Sequence, residues 1–208
     1  MKVIPLYGKM KTYSCRSYLV LGDWNRIEDR NTLVDTGTDG SIVEEIELIS
    51  TGIGKNPVEQ IMLTHSHFDH TGGIAALKKR FKSRVYAFHE NDDVDELVRN
   101  GQYIKMGDRF FEVIHTPGHS HDSICLYCSE QKVLFSGDTM VRIMSPGGSY
   151  TPEFVAALEK LASLDIEVIY GGHDEPMTDH IRETILATVS NVRKSRITVT
   201  DSESGLAT

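Results

Sequence analysis

The sequence lacks several features that would assign it to a specialised class of protein. Its 208 residues contain three cysteines and one tryptophan, and three cysteines are too few for a disulfide framework in a chain of this length. We find no low-complexity tract and no window that approaches the roughly 20 apolar residues of a membrane-spanning helix. Residues 1–18 contain no apolar block typical of a signal peptide. We therefore expect a cytoplasmic protein without a membrane anchor.

Basic residues are outnumbered by acidic ones. The chain has 22 Lys and Arg against 30 Asp and Glu, which gives a formal net charge of −8. Nucleic-acid binders usually carry a basic face that neutralises phosphates, and anionic membranes attract the same kind of surface. We therefore expect neither nucleic acid nor membrane as a partner, and leave a homodimer open as an assembly.

The remaining composition fits one compact domain over residues 1–208. Hydrophobic residues make up 39% of the chain and charged residues 25%, which is enough apolar material for a sizeable core. Short apolar runs closed by Gly, Pro, Asp or His alternate with helical patterns, which predicts an α/β or α+β fold in layers. The predicted strands are Ser17–Leu21, Leu33–Asp35, Gln60–Leu63, Val85–Phe88, Phe110–His115, Ile124–Cys128, Val133–Phe135 and Val168–Tyr170.

Four helices are predicted as well. They are Ser41–Ser50, Gly73–Phe81, Pro152–Leu164 and His180–Val192. Thr151 is placed to cap the third of these helices, with Pro152 at its first position. The polar tail Asp201–Thr208 is expected to be frayed.

Cys125 and Cys128 form a C-x-x-C motif. They lie in a predicted strand, where residues three apart point to opposite faces. We therefore interpret them as two small buried residues rather than as a redox or zinc pair.

Histidine and aspartate concentrate where predicted strands end. Five such segments are Leu33–Gly37, Met62–His70, Thr116–His119, Ser136–Thr139 and Gly171–His173. Loops at the edge of a rigid sheet often carry function, and imidazoles with carboxylates are the side chains that bind Zn, Fe or Mn. The sequence therefore predicts a metal centre.

The densest of these segments holds His65, His67, Asp69 and His70 within six residues. An extended loop alternates its side chains, so one ion could take the first two residues and a neighbouring ion the last two. The spacing permits two adjacent ions.

This segment resembles the hallmark of the metallo-β-lactamase fold superfamily, H-x-H-x-D-H, with an upstream Asp and a downstream His, Asp and His. All five motifs occur in order between Asp35 and His173. The resemblance implies a four-layer αβ/βα sandwich with the metals at one edge of two facing sheets. It also implies two divalent ions per chain, with zinc as the first expectation and iron or manganese as alternatives.

The resemblance assigns ligands position by position. One ion is implied to be held by His65, His67 and His119. The other is implied to be held by Asp69, His70 and His173. Asp138 is implied to bridge the two ions. Asp35 is implied to orient the metal loop by hydrogen bonds, although a turn residue before Thr36-Gly37 explains it equally well.

The implied chemistry is hydrolysis of a small-molecule substrate. A water shared by two divalent ions is deprotonated near neutral pH and attacks a carbonyl, while Asp69 accepts a proton or orients the hydroxide. Asp138 stands where the best-known zinc β-lactamases carry Cys or Ser, so β-lactam hydrolysis is disfavoured. The chain is similar to compact glyoxalase II-like proteins and to acyl-homoserine lactone lactonases. We therefore expect an ester, thioester or lactone as the substrate.

Three further side chains are candidates for substrate contacts. His121 follows His119 by two residues, and Arg142 and Tyr150 lie in a glycine-containing loop after Asp138. An ordinary exposed loop is the alternative for all three. Phe68, inside the motif, is expected to pack beneath the metal loop.

Two other functional classes stay open. A mononuclear iron enzyme similar to persulfide dioxygenases would keep the H-x-H-x-D-H string, and a non-catalytic or redox module would keep the fold. Metal content discriminates among them.

Overall fold

Two β-sheets face each other in the computed structural model, which describes residues 1–8 and 13–198. The predicted tail Asp201–Thr208 lies outside the described residues. Along the first sheet, in spatial order, run β1 Lys2–Leu6, β2 Ser17–Leu21, β3 Thr32–Val34, β4 Gln60–Met62, β5 Arg84–Ala87 and β6 Glu96–Leu97. The first three strands are antiparallel, and β3 to β6 are parallel. Its helices are α1 Ile42–Glu47, the single turn α2 Phe68–Thr71, and α3 Ile74–Phe81.

The second sheet is formed by the C-terminal half of the chain. Its strands are β7 Tyr103–Met106, β8 Arg109–His115, β9 Ile124–Cys128, β10 Val133–Gly137 and, after the short strand β11 Ser149–Tyr150, β12 Val168–Gly171. The spatial order is β12-β10-β9-β8-β7, and only the β10–β12 pair is parallel within this sheet. The other elements are α4 Pro152–Ser163, α5 Ile181–Arg193 and β13 Arg196–Ile197, which pairs with β11.

Alternate strand residues point into different layers, as a pleated sheet requires. In β2, Leu19 and Leu21 pack with the buried residues of α1 and α3, whereas Tyr18 and Val20 pack between the two sheets. The outer face of the second sheet is covered by α4 and α5 in the same way. The result is the four-layer αβ/βα sandwich that the family resemblance implies.

The eight predicted strands and four predicted helices are all present, with ends that differ by at most a few residues. The predicted cap is confirmed, because the Thr151 side chain accepts a hydrogen bond of 3.2 Å from the Phe154 amide. Cys125 and Cys128 are fully buried on opposite faces of β9, as predicted. No helix among the described residues is long and apolar enough to cross a membrane. That residues 1–208 form one domain stays a prediction.

Leu158 tests the packing of the outer layer of helices. It is fully buried in a cluster with Phe154, Val189 and Val192, which joins α4 to α5. We expect Leu158→Ala to lower the free energy of unfolding by about 2–5 kcal/mol, because it leaves a cavity. The control is Leu186→Ala on the exposed face of α5, with an expected change within about 0.5 kcal/mol. Urea unfolding measures both variants, and equal losses would contradict this packing.

Candidate metal centre

Four segments bring seven polar side chains to one edge of the two sheets. The segment after β4 supplies His65 and His67, and α2 supplies Asp69 and His70. The loops after β8, β10 and β12 supply His119, Asp138 and His173. Residues far apart in sequence meet here because β3, β4, β10 and β12 all end at this edge.

Three groups of three donors form within this cluster. One of them, His65, His70 and Asp138, shares a member with each of the other two, which have no residue in common. Of those two, the first group is His65, His67 and His119, whose ring nitrogens lie within 4.8 Å of one another. The second group is Asp69, His70 and His173, within the same limit. Closest contacts are 2.9 Å from His119 Nε2 to His67 Nδ1 and 3.2 Å from His173 Nε2 to Asp69 Oδ2. These are the two groups that the resemblance implies.

Asp138 lies between the two groups. Its Oδ2 is 3.5 Å from His119 Nε2 and 4.0 Å from His65 Nε2 in the first group. The same oxygen is 3.3 Å from His173 Nε2, and Oδ1 is 3.4 Å from His70 Nε2, both in the second group. One carboxylate therefore faces nitrogen donors of both groups.

Two ring nitrogens of the cluster fit a metal ion better than they fit the surrounding protein. His65 Nε2 and His70 Nε2 are buried and make no hydrogen bond within the described part of the chain. Such atoms are costly to bury unless something satisfies them. Imidazole nitrogens beside carboxylate oxygens are the donors that zinc, iron and manganese take, so the residues present fit a transition-metal ion.

The electrostatics of the cluster favour a neutral His65 and an ionised Asp138, the forms in which these two side chains can bind a metal ion. Burial and the neighbouring His70 lower the pKa of His65 to about 4, so this ring is neutral at neutral pH. Burial alone would raise the pKa of Asp138, but the adjacent His70, whose Nε2 lies 3.4 Å from Asp138 Oδ1, outweighs it and lowers that pKa to about 2. Asp138 is therefore an ionised carboxylate.

Asp35 orients the ring of His70 through a hydrogen bond to Nδ1. Its Oδ2 accepts a 2.8 Å hydrogen bond from His70 Nδ1, and the Thr64 amide and hydroxyl donate to its two oxygens, also at 2.8 Å. Burial alone would lower the pKa of His70, but the charge of Asp35 outweighs it and raises the pKa well above its ordinary value. Asp35 has a left-handed backbone, with φ of 57°, which Asp tolerates better than most residues. The structure thus gives Asp35 the contacts of an orienting residue.

Gly172 allows Asp138 and His70 to approach the backbone before His173. A Cβ atom at this position would lie 2.1 Å from Asp138 Oδ1 and 2.9 Å from His70 Cε1. Any other residue here would displace the carboxylate that faces both groups.

The other candidate residues are distributed differently. Arg142 lines a cavity of about 310 Å³ together with His119, Asp138 and His173. His121, in contrast, is exposed and packs edge-on against His89, with ring centroids 4.9 Å apart.

Tyr150 packs against its neighbours in the C-terminal half, and Phe68 differs from what the sequence indicates. Tyr150 stacks on Phe154 at 5.6 Å between ring centroids and pairs with β13. The expectation that Phe68 packs beneath the metal loop is wrong. It is the first residue of α2 and is 65% exposed, because the turn directs Asp69 and His70 inward instead.

Sequence reasoning missed two residues beside the cluster. The Tyr13 hydroxyl lies 3.3 Å from His173 Nε2, and the two rings stack with centroids 5.0 Å apart. The buried thiol of Cys15 joins Asp35 and His70 within 4.8 Å. Both residues lie in the loop between β1 and β2. The sequence of this loop contains no motif that indicates a contact with the distant His173 or His70.

Comparison with known proteins places this chain in a family. A family model described as the metallo-beta-lactamase superfamily matches residues 11–96 and 87–173. Together these ranges cover most of the chain and all seven side chains of the cluster. The chain belongs to the metallo-β-lactamase superfamily.

Curated relatives of the chain include hydrolases of thioesters by name. An atrochrysone carboxyl ACP thioesterase from Aspergillus fumigatus is 26% identical over 219 residues, which cover 97% of this chain and 67% of the relative. A hydroxyacylglutathione hydrolase from Nitrobacter hamburgensis is 32% identical over 153 residues, covering 70% of this chain and 58% of the relative. The chain thus spans little more than half the length of some curated relatives that it matches.

Solved structures share the fold. A metallo-beta-lactamase family protein from Thermus thermophilus superposes with a TM-score of 0.65 at 22% identity, over 92% of this chain and 79% of that one. ETHE1 from Myxococcus xanthus superposes with a TM-score of 0.64 at 20% identity, over 92% and 91%. At these identities the likeness establishes the fold.

Asp35→Asn tests whether the carboxylate bonded to His70 Nδ1 affects the affinity of the centre for a metal ion. The substitution keeps the shape of the side chain but removes the charge that orients the imidazole, so zinc affinity is expected to fall about 10- to 100-fold. Competition with a chromogenic chelator measures the affinity. Asp92→Asn, in an exposed loop, is the matched control and should leave it unchanged. Equal affinities for Asp35→Asn and the unsubstituted chain would contradict the role of Asp35.

Proposed function

We propose that this protein is a metal-dependent hydrolase that cleaves small thioesters and related esters or lactones. The observation that carries the proposal is the position of Asp138, whose carboxylate faces nitrogen donors of both groups. The names of the thioesterase and hydroxyacylglutathione hydrolase relatives support a thioester as the first substrate class.

The proposed ligands follow the two groups. His65, His67 and His119 would hold one divalent ion, and Asp69, His70 and His173 would hold the other. Asp138 would contact both ions. Zinc is the first choice because nitrogen and carboxylate donors suit it, with iron or manganese as alternatives.

The chemistry divides between the ions and the protein. When bound, divalent ions lower the pKa of water and polarise a carbonyl oxygen. The surrounding side chains keep His65 neutral and Asp138 ionised, and Asp35 orients the ring of His70. Asp69 lies 3.2 Å from His173 Nε2, where its carboxylate would accept a proton from, or orient, the attacking water. A thioester needs little help to expel its thiolate, whereas an amide also needs an acid for its leaving group.

Substrate access is from the open side of the cluster. His119 and His173 are partly exposed, whereas His65 and His70 are buried. Arg142 lines the cavity next to His119 and His173 and is 3.8 Å from Asp174. We assign Arg142 a substrate contact. His121 and Tyr150 are weaker candidates for such a contact, because their side chains pack on His89 and Phe154.

Metal content is the first test. Protein purified without chelator is expected to hold close to two transition-metal ions per chain, measured by elemental analysis. Asp138→Ala is expected to release one of them and to lower the thermal midpoint, since metal binding and folding are coupled. A single tightly held iron, with oxygen consumed in the presence of a persulfide, would favour the mononuclear dioxygenase alternative instead.

Turnover is the second test. We expect the zinc-loaded chain to hydrolyse a panel of acyl thioesters and lactones, with activity lost on chelation and restored by zinc, and with little activity on β-lactams. His119→Ala should lose most of this activity, while His89→Ala, an exposed histidine outside the two groups, should retain it. A metal-loaded protein that hydrolysed no thioester, ester or lactone would overturn the proposed function and favour a non-catalytic or redox module.

A further inference from the structure

We propose that the Tyr13 hydroxyl donates a hydrogen bond to the oxygen of the reacting carbonyl, on the side of the centre formed by His173. This inference rests on the proposed function and adds to it a substrate-binding residue that lies outside all five strand-end motifs.

The position of the hydroxyl carries the inference. It lies 3.3 Å from His173 Nε2. The same nitrogen is 3.2 Å from Asp69 Oδ2 and 3.3 Å from Asp138 Oδ2. The phenol oxygen is therefore as near to this nitrogen as the carboxylates of the centre are.

Two contacts orient the Tyr13 side chain. Its ring stacks on the His173 imidazole, with 5.0 Å between centroids and 19° between planes. Its backbone carbonyl accepts a hydrogen bond from the Thr38 hydroxyl. The stack on His173 therefore positions the ring, and the bond from Thr38 positions the backbone of Tyr13, while the side chain remains 67% exposed to solvent.

The residues after Tyr13 attach the loop to the centre. The Cys15 amide donates to the Asp69 carbonyl at 3.2 Å, and the Arg16 amide donates to the Gly172 carbonyl at 2.6 Å. The loop between β1 and β2 is thus bonded to two of the segments that carry the second group of donors. The backbone that follows Tyr13 is therefore fixed to the segments of Asp69 and His173.

The chemistry of the hydroxyl gives it a role with substrate. A nitrogen that binds a metal ion no longer offers its lone pair, so the proton of the Tyr13 hydroxyl is then available to an acceptor on the substrate. Negative charge grows on the carbonyl oxygen during attack, and a donor held beside it binds the transition state more tightly than the ground state. The hydroxyl therefore contributes mainly to kcat.

The test compares two Tyr→Phe variants in the zinc-loaded full chain. Tyr13→Phe keeps the ring that stacks on His173 and removes only the hydroxyl. Tyr103→Phe is the matched control, because Tyr103 is 64% exposed on β7 and outside the centre. For each variant we would measure zinc content, thermal midpoint, kcat and KM for a thioester, and the Kd of butylphosphonate, a tetrahedral mimic of the attacked carbonyl, by calorimetry.

We expect Tyr13→Phe to retain the zinc content and thermal midpoint of the unsubstituted protein. Its kcat should fall about 100- to 1,000-fold with little change in KM, as for loss of one donor to the developing oxyanion. Its affinity for butylphosphonate should fall about tenfold, as for loss of one hydrogen bond to a charged group. Tyr103→Phe should match the unsubstituted protein in every measurement.

Two results would overturn the inference. One is an unchanged kcat together with unchanged butylphosphonate affinity in Tyr13→Phe. The other is loss of zinc from Tyr13→Phe, which would make the hydroxyl a metal ligand. If the unsubstituted protein hydrolysed no substrate, the proposed function would fail, and butylphosphonate binding alone would then decide the inference, with a tenfold loss supporting it and no loss overturning it.

Discussion

The hydrogen bond between Asp35 and His70 is the contact on which the rest of the centre depends. It joins the end of β3 to α2 through fully buried groups, and Thr64 at the end of β4 donates twice to the same carboxylate. Three segments are therefore fixed to one charged group before any ligand binds. A buried carboxylate is costly unless it is fully paired, and this one has a partner for each oxygen, so the orientation of His70 is set by the fold.

The topology explains how distant parts of the chain reach one edge. Parallel neighbours end at the same edge of a sheet, and β3 with β4 in one sheet and β10 with β12 in the other each form such a pair. The two sheets then bring these edges together across a shared apolar layer that includes Tyr18, Met62 and Phe135. The Tyr18 hydroxyl also donates to the Gly171 carbonyl at 2.7 Å, so this layer reaches the segment just before His173.

Much of this arrangement could be predicted from the sequence, for identifiable reasons. Buried strands such as Ile124–Cys128 are continuous apolar runs, and the Thr151-Pro152 start of α4 is a local signal, so both appear in the sequence alone. The edge strands β1 and β7 do not, because they are half exposed and mix polar with apolar residues. Their pairing is decided by the neighbouring strand.

The residues of the site also differ in whether the local sequence indicates them. His65, His67, Asp69 and His70 are adjacent in sequence, and their spacing itself indicates chemistry. Tyr13 reaches His173 across 160 residues, and a lone tyrosine in a loop carries no local signal of such a contact. The wrong expectation for Phe68 has a similar cause. A one-turn helix contains too few residues for the sequence pattern to show which of its sides faces inward.

The exposed position of Phe68 has a consequence for protein engineering. It stands between His67 and Asp69, two members of the donor cluster, yet its own side chain points to solvent. A substitution at residue 68 therefore changes the outer surface between His67 and Asp69 and leaves the seven donor side chains as they are. The surface beside the centre can thus be redesigned at this one codon with the donor set intact.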